Sequence, residues 1–243
     1  KCLYVVCLLI SLCSVAGGMH YGIIMGGQSN MDGQGTGSEV PDSLRIIYPN
    51  IQYYIGPAGD LPPIKKDVIT PKAVKFGPEV AFCHNIARNF PNDTFVVIKY
   101  AVGGTGMDKW APDSSLYKKL FGFAKTLDTM YSDSGIKIDW KAFLWMQGEA
   151  DSRYTKLTGL YKTRTLSLID SSRADMNADN MSFIFGRVNP PESIYPNVNT
   201  VRAIQEEIDS TVNNTYLVNC DSFPKVSDTI HYNTEGQLML GKA

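Results

Sequence analysis

Residues Tyr21 to Gly35 read Y-G-I-I-M-G-G-Q-S-N-M-D-G-Q-G, and this stretch decides the interpretation of the whole chain. The apolar run from Tyr21 to Met25 is typical of a short buried β-strand, and a pair of glycines follows it. Because glycine permits a tight turn, the turn can present Ser29 at the carboxyl edge of a sheet, where open α/β proteins place their sites. A serine that only caps the next turn explains the pattern equally well.

The length and charge of the chain restrict its class. Its 243 residues suit one α/β domain, and a hydrophobic content of 44% is enough for a buried core. The formal net charge is −1, which gives no electrostatic indication of a nucleic-acid partner or of an anionic membrane surface. We therefore expect a globular protein that binds no nucleic acid.

The N-terminal segment has the composition of a secretory signal peptide. Lys1 precedes an apolar run over residues 2–13, and Ala16 is a small residue at the expected cleavage position. The run is shorter than the ~20 apolar residues that a membrane-spanning helix needs. We expect residues 1–16 to be a signal peptide and residues 17–243 to be a secreted domain without a membrane anchor. A membrane anchor and a buried N-terminal helix are the alternatives.

Three N-glycosylation acceptor patterns, which begin at Asn92, Asn180 and Asn213, agree with secretion. Cleavage of the signal peptide would leave two cysteines, Cys83 and Cys220, and their spacing does not show whether they pair. The cysteines and histidines form no cluster with the spacing of a metal site. We therefore expect neither a metal nor a cofactor.

Strand-like and helix-like segments alternate along the rest of the chain. Five strands are predicted, at residues 21–25, 95–102, 142–147, 182–188 and 216–219. The predicted helices begin at residue 78 and cover 114–131, 154–169 and 198–212, and a last helix starts at 234. Such alternation predicts a parallel sheet with helices on both faces. Residues 45–55 are interpreted as two short strands beside the sheet and residues 61–76 as a loop. The chain ends early in the last helix, so we expect the natural protein to extend further.

Distinctive residues follow the predicted strands. They are Ser29, the pair Gly103 and Gly104, the run from Gln147 to Glu149, and the run from Asp228 to His231. Because the carboxyl ends of parallel strands share one edge, these residues are expected to converge there. A serine nucleophile needs a base within hydrogen-bond reach. His231 is better placed for this than His20, before the first strand, or His84, on a helix.

The blocks G-Q-S-N-M, G-G-T, W-M-Q-G-E-A-D and D-T-I-H-Y resemble the signature blocks of the SGNH-hydrolase superfamily. Within it they resemble the sialate O-acetylesterase-like branch, which includes carbohydrate acetylesterases active on acetylated xylan. The W-x-Q-G-E block is the most discriminating, because the wider superfamily usually has an asparagine there. The resemblance covers the chain from Tyr21 to its end. It implies an α/β fold of the flavodoxin-like kind: a three-layer α/β/α sandwich around a five-stranded parallel sheet in the order 2-1-3-4-5.

The resemblance also implies a role for each matching residue. Ser29 would be the nucleophile, His231 its base, and Asp228 the residue that holds the His231 ring. The backbone N–H groups of Ser29 and Gly104 and the side-chain amide of Gln147 would form the oxyanion hole. From composition alone, Asp228 would equally suit a turn.

Four further residues of these blocks are candidates for substrate binding: Gln28, Asn30, Glu149 and Tyr232. Trp110, Trp145 and Tyr232 could form a rim on which a sugar stacks, although a tryptophan within a strand is more typical of a core. Glu149 and Asp151 could be the carboxylate pair of a glycoside hydrolase. We prefer the interpretation in which Glu149 fixes neighbouring backbone and Asp151 caps the following helix.

Together these features predict a secreted serine esterase that removes O-acetyl groups from carbohydrates. One alternative is a non-catalytic carbohydrate-binding protein on the same fold. The intact set of Ser29, Asp228 and His231 argues against it, because a binding protein has no need of all three. The other alternative is an SGNH esterase or lipase that acts on lipid acyl chains. The W-x-Q-G-E block argues against that activity.

Overall fold

Nine strands are present in the computed structural model, which describes residues 19–57, 62–69 and 74–243. They are β1 (His20–Gly27), β2 (Gly35–Thr36), β3 (Ile51–Ile55), β4 (Ile64–Lys65), β5 (Lys75–Phe76), β6 (Thr94–Ala101), β7 (Ile138–Met146), β8 (Ser182–Gly186) and β9 (Thr215–Val218). The predicted signal peptide, residues 1–16, lies outside the described residues.

Seven α-helices connect or follow these strands in the described part of the chain. They are α1 (Ser29–Asp32), α2 (Glu79–Asn89), α3 (Ser115–Ser132), α4 (Glu149–Arg153), α5 (Thr155–Asp175), α6 (Val198–Thr211) and α7 (Thr234–Lys242). Each predicted helix is present, with ends that differ by a few residues. No helix in these ranges is long and apolar enough to cross a membrane.

Seven of the strands form one sheet, in the order β4-β3-β6-β1-β7-β8-β9. All neighbours are parallel except β3 and β4, which pair antiparallel. The five predicted strands lie in the order 2-1-3-4-5 that the resemblance implies. The sheet nevertheless has seven strands and not five, because β3 pairs with β6 and extends the sheet at that side. The prediction that residues 45–55 lie beside the sheet was therefore wrong, and so was the prediction that residues 61–76 are only a loop.

The helices cover the two faces of the sheet and make three layers. On one side α2 packs against α7, and on the other α5 packs against α6. The Tyr117 hydroxyl of α3 donates to Asp175 at the end of α5, which places these two helices side by side. Right-handed crossovers between parallel strands require this division. The architecture is the predicted α/β/α sandwich.

One half of the core lies between the sheet and α3, where apolar residues recur at the intervals expected of a strand and of a helix. Leu120, Ala124 and Leu127 recur at helical intervals and are fully buried. They pack on the middle of the sheet, where Ile24 and Phe143 are also fully buried. Burying one such large side chain stabilises the fold by about 1.5–3 kcal/mol. This packing holds the central strands in register.

The register of β1, β6 and β7 determines where the segments that follow these strands leave the sheet. Gly27, the last residue of β1, lies opposite Ala101 of β6 and Met146 of β7. The three strands therefore end level with one another. As a result, the segments that follow them leave the sheet at one edge.

A buried ion pair lies beneath the carboxyl edge of the sheet and stabilises it. The ammonium group of Lys99 lies 2.6 Å from Oε2 of Glu79 and donates to the carbonyl of Asp32, at the end of α1. Oε1 of Glu79 accepts the N–H of Gly77. Glu79 thus connects α2 to β6, and through Lys99 to α1.

Candidate active site

The turn after β1 places Ser29 at the carboxyl edge of the sheet. Gly27 has a φ of +141°, and a Cβ atom there would lie 2.2 Å from the carbonyl oxygen of Met146, so only glycine fits. The N–H of Gln28 donates to that same carbonyl. Ser29 then begins α1, and its own N–H donates to no protein acceptor in the described chain.

The loop that carries His231 is held by Asp228. Oδ1 of Asp228 accepts the backbone N–H groups of Ile230, at 2.8 Å, and of His231, at 2.9 Å. Between them Thr229 has a φ of +62°, a conformation that is strained for a β-branched residue. Strain of this kind persists only where surrounding contacts hold it, and it is frequent at functional sites. The loop thereby turns the side chains of Asp228 and His231 toward each other.

Ser29, His231 and Asp228 form a continuous chain of hydrogen bonds. Nε2 of His231 lies 2.9 Å from Oγ of Ser29, and Nδ1 of His231 lies 2.6 Å from Oδ2 of Asp228. Burial opposes the charge of Asp228, but hydrogen bonds from the backbone and ring of His231 outweigh it and lower the pKa of the carboxyl group. Asp228 is therefore ionised beside the ring that it contacts.

The loop after β6 brings a second free backbone donor to Ser29. Gly104 has a φ of +70°, and no atom lies within 4 Å of the position that a Cβ would occupy, so this face of the loop is open. The nearby Gly103 approaches the Ser29 side chain. The N–H of Gly104, like that of Ser29, has no acceptor among the described residues. Ser29 and Gly104, which line the same cavity, therefore each have an N–H group that no described residue accepts.

The structure does not place Gln147 as the predicted third donor. Its side-chain nitrogen donates to the carbonyl oxygen of Thr105, at 3.0 Å, and to Oδ2 of Asp151. Both amide hydrogens are thus used inside the protein, and the residue is fully buried. The physical reason is that the N–H groups of a buried amide must find acceptors nearby, while Oε1 of Gln147 has no partner among the described residues. Gln147 instead holds the loop that carries Gly104.

Asp151 belongs to the same internal network. Its carboxylate accepts the N–H of Met107, at 3.0 Å, in addition to the amide of Gln147. Burial raises the pKa of this carboxyl group, although the two hydrogen bonds partly offset that effect. The prediction that the side chain caps the next helix was wrong. It ties α4 to the loop between β6 and α3.

Asn30, Glu149 and Tyr232, three of the predicted substrate-binding residues, have buried side chains. The amide nitrogen of Asn30 donates to Oε1 of Glu149, and its oxygen accepts the backbone N–H of Tyr232. The ring of Tyr232 packs edge-on against Phe223. These residues therefore connect the segments of the site below its surface, where a substrate does not reach them.

The expected rim of aromatic side chains is also absent from the described part of the site. Trp110, Trp145 and Tyr232 are at most 1% exposed, so none of them offers a face for stacking. Trp110 and Trp145 pack edge-on against each other in the core. Large rings on strands and short helical turns gain more from burial than from exposure at a rim.

A cleft of about 360 Å³ opens over the Ser29 hydroxyl, a size that suits a small ligand. Of the predicted substrate-binding residues only Gln28 lines it, and Ala150 donates its N–H to Oε1 of Gln28. Sequence reasoning missed the residues on the opposite wall, which are Arg153, Tyr154 and Tyr195. Arg153 and Tyr154 follow the W-x-Q-G-E block within five residues, and this proximity is the sequence signal that could have indicated them.

The arrangement has the parts needed for acyl transfer. A hydroxyl contacts an imidazole, the imidazole contacts an ionised carboxylate, and the N–H groups of Ser29 and Gly104 have no acceptor among the described residues. Within residues 19–57, 62–69 and 74–243, no group of three or more His, Cys, Asp or Glu side chains is arranged to hold a metal ion.

Comparison with known proteins places the chain in a family. A family model described as a carbohydrate esterase, sialic acid-specific acetylesterase, matches residues 22–243. A probable carbohydrate esterase from Arabidopsis thaliana is 26% identical over 234 residues, which are 90% of this chain and 86% of the relative.

Solved structures show the same fold. The X-ray structure of an Arabidopsis thaliana protein superimposes with a TM-score of 0.73 at 23% identity, covering 91% of this chain and 94% of that one. A carbohydrate acetylesterase from Xanthomonas citri superimposes with a TM-score of 0.71 at 14% identity, covering 91% of this chain and 54% of that one. With the family match, these findings confirm the resemblance drawn from the four sequence blocks. The chain belongs to the sialic acid-specific acetylesterase family of carbohydrate esterases, within the SGNH hydrolases.

Proposed function

We propose that this protein is a serine esterase that removes O-acetyl groups from carbohydrates through an acetyl-enzyme. The observation that carries the proposal is the hydrogen-bond chain from Ser29 through His231 to Asp228, with distances of 2.9 and 2.6 Å. The family supplies the substrate class, since its members are described as carbohydrate esterases. An intact chain of this kind also argues against a protein that only binds carbohydrate.

The geometry supports a two-step reaction. Oγ of Ser29 attacks the acetyl carbonyl carbon while Nε2 of His231 takes the hydroxyl proton. Asp228 stabilises the imidazolium and keeps the ring oriented. His231 then returns the proton to the sugar oxygen as the ester bond breaks. In the second step His231 takes a proton from a water molecule, which attacks the acetyl carbon. His231 then returns this proton to Oγ of Ser29 as the bond between Oγ and the acetyl carbon breaks and acetate leaves.

The negative charge that develops on the acetyl oxygen needs donors that are already in position. In this proposal the donors are the N–H groups of Ser29 and Gly104, since neither is used elsewhere in the described chain. Gln28 is oriented by the N–H of Ala150 on its side-chain oxygen, which leaves its amide N–H groups for a substrate oxygen in the cleft.

The test compares the wild type with Ser29→Ala on p-nitrophenyl acetate and on a panel of O-acetylated sugars. We expect the variant to lose at least ~10⁴-fold in kcat, the scale for removing a catalytic serine. Intact-protein mass spectrometry of rapidly quenched wild type should show an acetyl group that is absent from the variant. Full activity of Ser29→Ala would overturn the proposal.

We also propose that the protein is secreted and carries N-linked glycans. Asn92, Asn180 and Asn213 are exposed and lie just before β6, β8 and β9. The amino ends of parallel strands lie at the edge opposite the Ser29 cleft, so glycans there leave the cleft open. In a eukaryotic secretory host, we expect peptide-N-glycosidase F to reduce the mass of the secreted protein. An unchanged mass would count against glycosylation at all three sites.

A further inference from the structure

A second cavity opens at the carboxyl edge of the sheet, over the ends of β3 and β6, and has a volume of about 650 Å³. It adjoins the cleft over Ser29. Ser29, the first residue of α1, lines the cleft, and Asp32, the last residue of the same helix, lines the second cavity. In the segment after β6, Val102 lines the second cavity and Gly103 lines the cleft. Both are therefore within reach of one extended ligand.

Tyr53 of β3 brings an unused hydroxyl group to the second cavity. The residue lines the cavity and is only 5% exposed, yet no described residue forms a hydrogen bond with its hydroxyl group. A buried tyrosine hydroxyl usually has a partner. The neighbouring Tyr54 has one, because its hydroxyl lies 3.2 Å from that of Tyr131 in α3. The hydroxyl of Tyr53 is thus left for a group that enters the second cavity.

A buried ammonium group and a carboxylate also line the second cavity. The ammonium group of Lys99 donates to Glu79 and to the carbonyl of Asp32, which leaves one of its three hydrogens without a described acceptor. The carboxylate of Asp32 receives no hydrogen bond from a described residue. The second cavity therefore offers both donors and an acceptor to a ligand.

The charged side chains of the second cavity balance one another. Three are cationic and three are anionic: Lys66, Lys75, Lys99, Asp32, Asp67 and Glu79. A ligand with a net charge therefore gains little from their sum. The partly buried side chains of Tyr100 and Leu116 add apolar surface. A few polar groups beside apolar surface are typical of a small-molecule site, and they suit a neutral sugar, whose hydroxyl groups both donate and accept.

We propose that the second cavity binds a neutral sugar unit of the same glycan whose acetyl group is attacked by Ser29. The protein then prefers O-acetylated oligosaccharides to O-acetylated monosaccharides. The inference rests on the proposed function. A glycan that lies across α1 meets Ser29 at one end of the helix and Asp32 at the other. Tyr53 and Lys99 donate to oxygens of the bound sugar unit, and Asp32 accepts from one of its hydroxyl groups.

A cavity that holds only water is the simpler interpretation, because water molecules can satisfy such polar groups. The two interpretations differ in what they predict for ligands. A water-filled cavity does not distinguish an oligosaccharide from a monosaccharide. Loss of the Tyr53 hydroxyl would then leave the binding of both unchanged.

The first measurement is binding, which does not depend on hydrolysis. Isothermal titration calorimetry is carried out with cellotetraose, mannotetraose and methyl glucoside. The two tetrasaccharides differ in the orientation of the 2-hydroxyl group and so separate two sources of a neutral sugar unit. The proteins are the wild type, Tyr53→Phe and Asp32→Asn. Tyr54→Phe is the matched control, because it removes a buried tyrosine hydroxyl that contacts Tyr131 and does not line the second cavity.

We expect the wild type to bind at least one tetrasaccharide with a Kd of about 1 mM or lower, and methyl glucoside more weakly. Tyr53→Phe should raise that Kd by about two- to tenfold, the scale of one neutral hydrogen bond, and Asp32→Asn should raise it as well. Tyr54→Phe should leave it unchanged. If the wild type binds neither tetrasaccharide, or if Tyr53→Phe and Asp32→Asn both bind as the wild type does, the second cavity is not a sugar site.

The second measurement connects the second cavity to the reaction at Ser29. It compares kcat/KM for an O-acetylated tetrasaccharide with kcat/KM for the O-acetylated methyl glycoside. We expect a wild-type ratio above about 10, equivalent to about 1.4 kcal/mol, and a lower ratio in Tyr53→Phe with the monosaccharide value unchanged. A wild-type ratio near 1 would overturn the preference for oligosaccharides. If the tetrasaccharides bind but no acetyl ester is hydrolysed, the esterase function fails and the sugar site stands.

Discussion

The side-chain amide of Asn30 donates a hydrogen bond of 2.7 Å to Oε1 of Glu149, a residue 119 positions later in the chain. The same amide donates to the carbonyl of Ile230, and its oxygen accepts the N–H of Tyr232. One buried side chain thus connects the turn of Ser29, the start of α4 and the loop of His231. It fixes the distance between hydroxyl and imidazole without contacting either group.

Replacing Asn30 by alanine should therefore loosen the site and destabilise the fold. The substitution leaves the N–H of Tyr232 and a buried carboxylate without their partner, at a cost of about 1–3 kcal/mol for each unsatisfied group. We expect a lower midpoint of urea unfolding together with a lower kcat. Asn89→Ala, at the exposed end of α2, is the matched control. If Asn30→Ala unfolds at the wild-type urea concentration, the amide does not stabilise this junction.

Glu149 should make the stability of the protein depend on pH. Burial raises the pKa of its carboxyl group, and hydrogen bonds from its own backbone and from Asn30 only partly offset this, while Oε2 has no protein partner among the described residues. Because the pKa is higher in the folded state than in the unfolded state, the protonated form is favoured by folding. The contribution of Glu149 is thus fully present below the unfolded pKa of ~4.3 and is lost as pH rises through the folded value.

This effect can be isolated by comparison with Glu149→Gln. The free energy of unfolding of the wild type, minus that of the variant, should decrease as pH rises from about 4 to 8, because only the wild type must ionise a buried carboxyl group. Glu192→Gln, at an exposed position, should give a difference that does not change with pH. A difference that increases with pH for Glu149→Gln would mean that the folded protein favours the carboxylate.

The sequence predicted the parallel sheet because its central strands are strongly apolar and end in recognisable turns. Strands β3 and β4 were missed as sheet members for a physical reason. β4 has only two residues, and β3 owes its place in the sheet to pairing with β6, a strand distant in sequence, where Ile51 lies opposite Phe95. Local propensity carries little information on such pairing.

In the site, too, local sequence patterns could be recognised, whereas contacts between residues distant in sequence could not. The three-residue spacing of Asp228 and His231 was visible in the sequence, and so was the serine turn. The partners of Gln147 were not visible in the sequence, because Thr105 lies 42 residues away and no local pattern joins the two residues. Asp151, four residues after Gln147, was the one partner that helical spacing could have indicated.

The variant Gln147→Ala tests whether Gln147 positions the loop of Gly104 or donates a hydrogen bond directly to the oxyanion. Without its amide, the loop of Gly104 loses its contact at Thr105, and the buried carboxylate of Asp151 loses a donor. We expect kcat to fall by ~10²-fold, the scale for an impaired oxyanion site. The free energy of unfolding should fall as well, by about 1–3 kcal/mol.

The double variant with Asp151→Ala distinguishes the two roles. If both residues act by holding the same loop, the double variant should lose little more kcat than Gln147→Ala alone, since their effects are coupled. Fully additive losses in kcat, with no change in stability for Gln147→Ala, would instead assign the amide directly to the substrate oxygen.

Cys83 and Cys220 should remain unpaired even under oxidising conditions, and both are free and buried in the structure. Cys83 lies on α2 beside β6, and Cys220 follows β9, four strand spacings of ~4.8 Å away. A disulfide requires Cα atoms within about 7 Å.

Burial also makes both thiols unreactive. It raises the pKa of Cys220 to about 12 and raises that of Cys83 as well, so almost no thiolate forms at neutral pH. We expect iodoacetamide to label neither cysteine in the folded protein and both in urea, without prior reduction. A peptide that joins Cys83 to Cys220 in a non-reduced digest would require α2 to pack elsewhere, because no side-chain movement spans four strands.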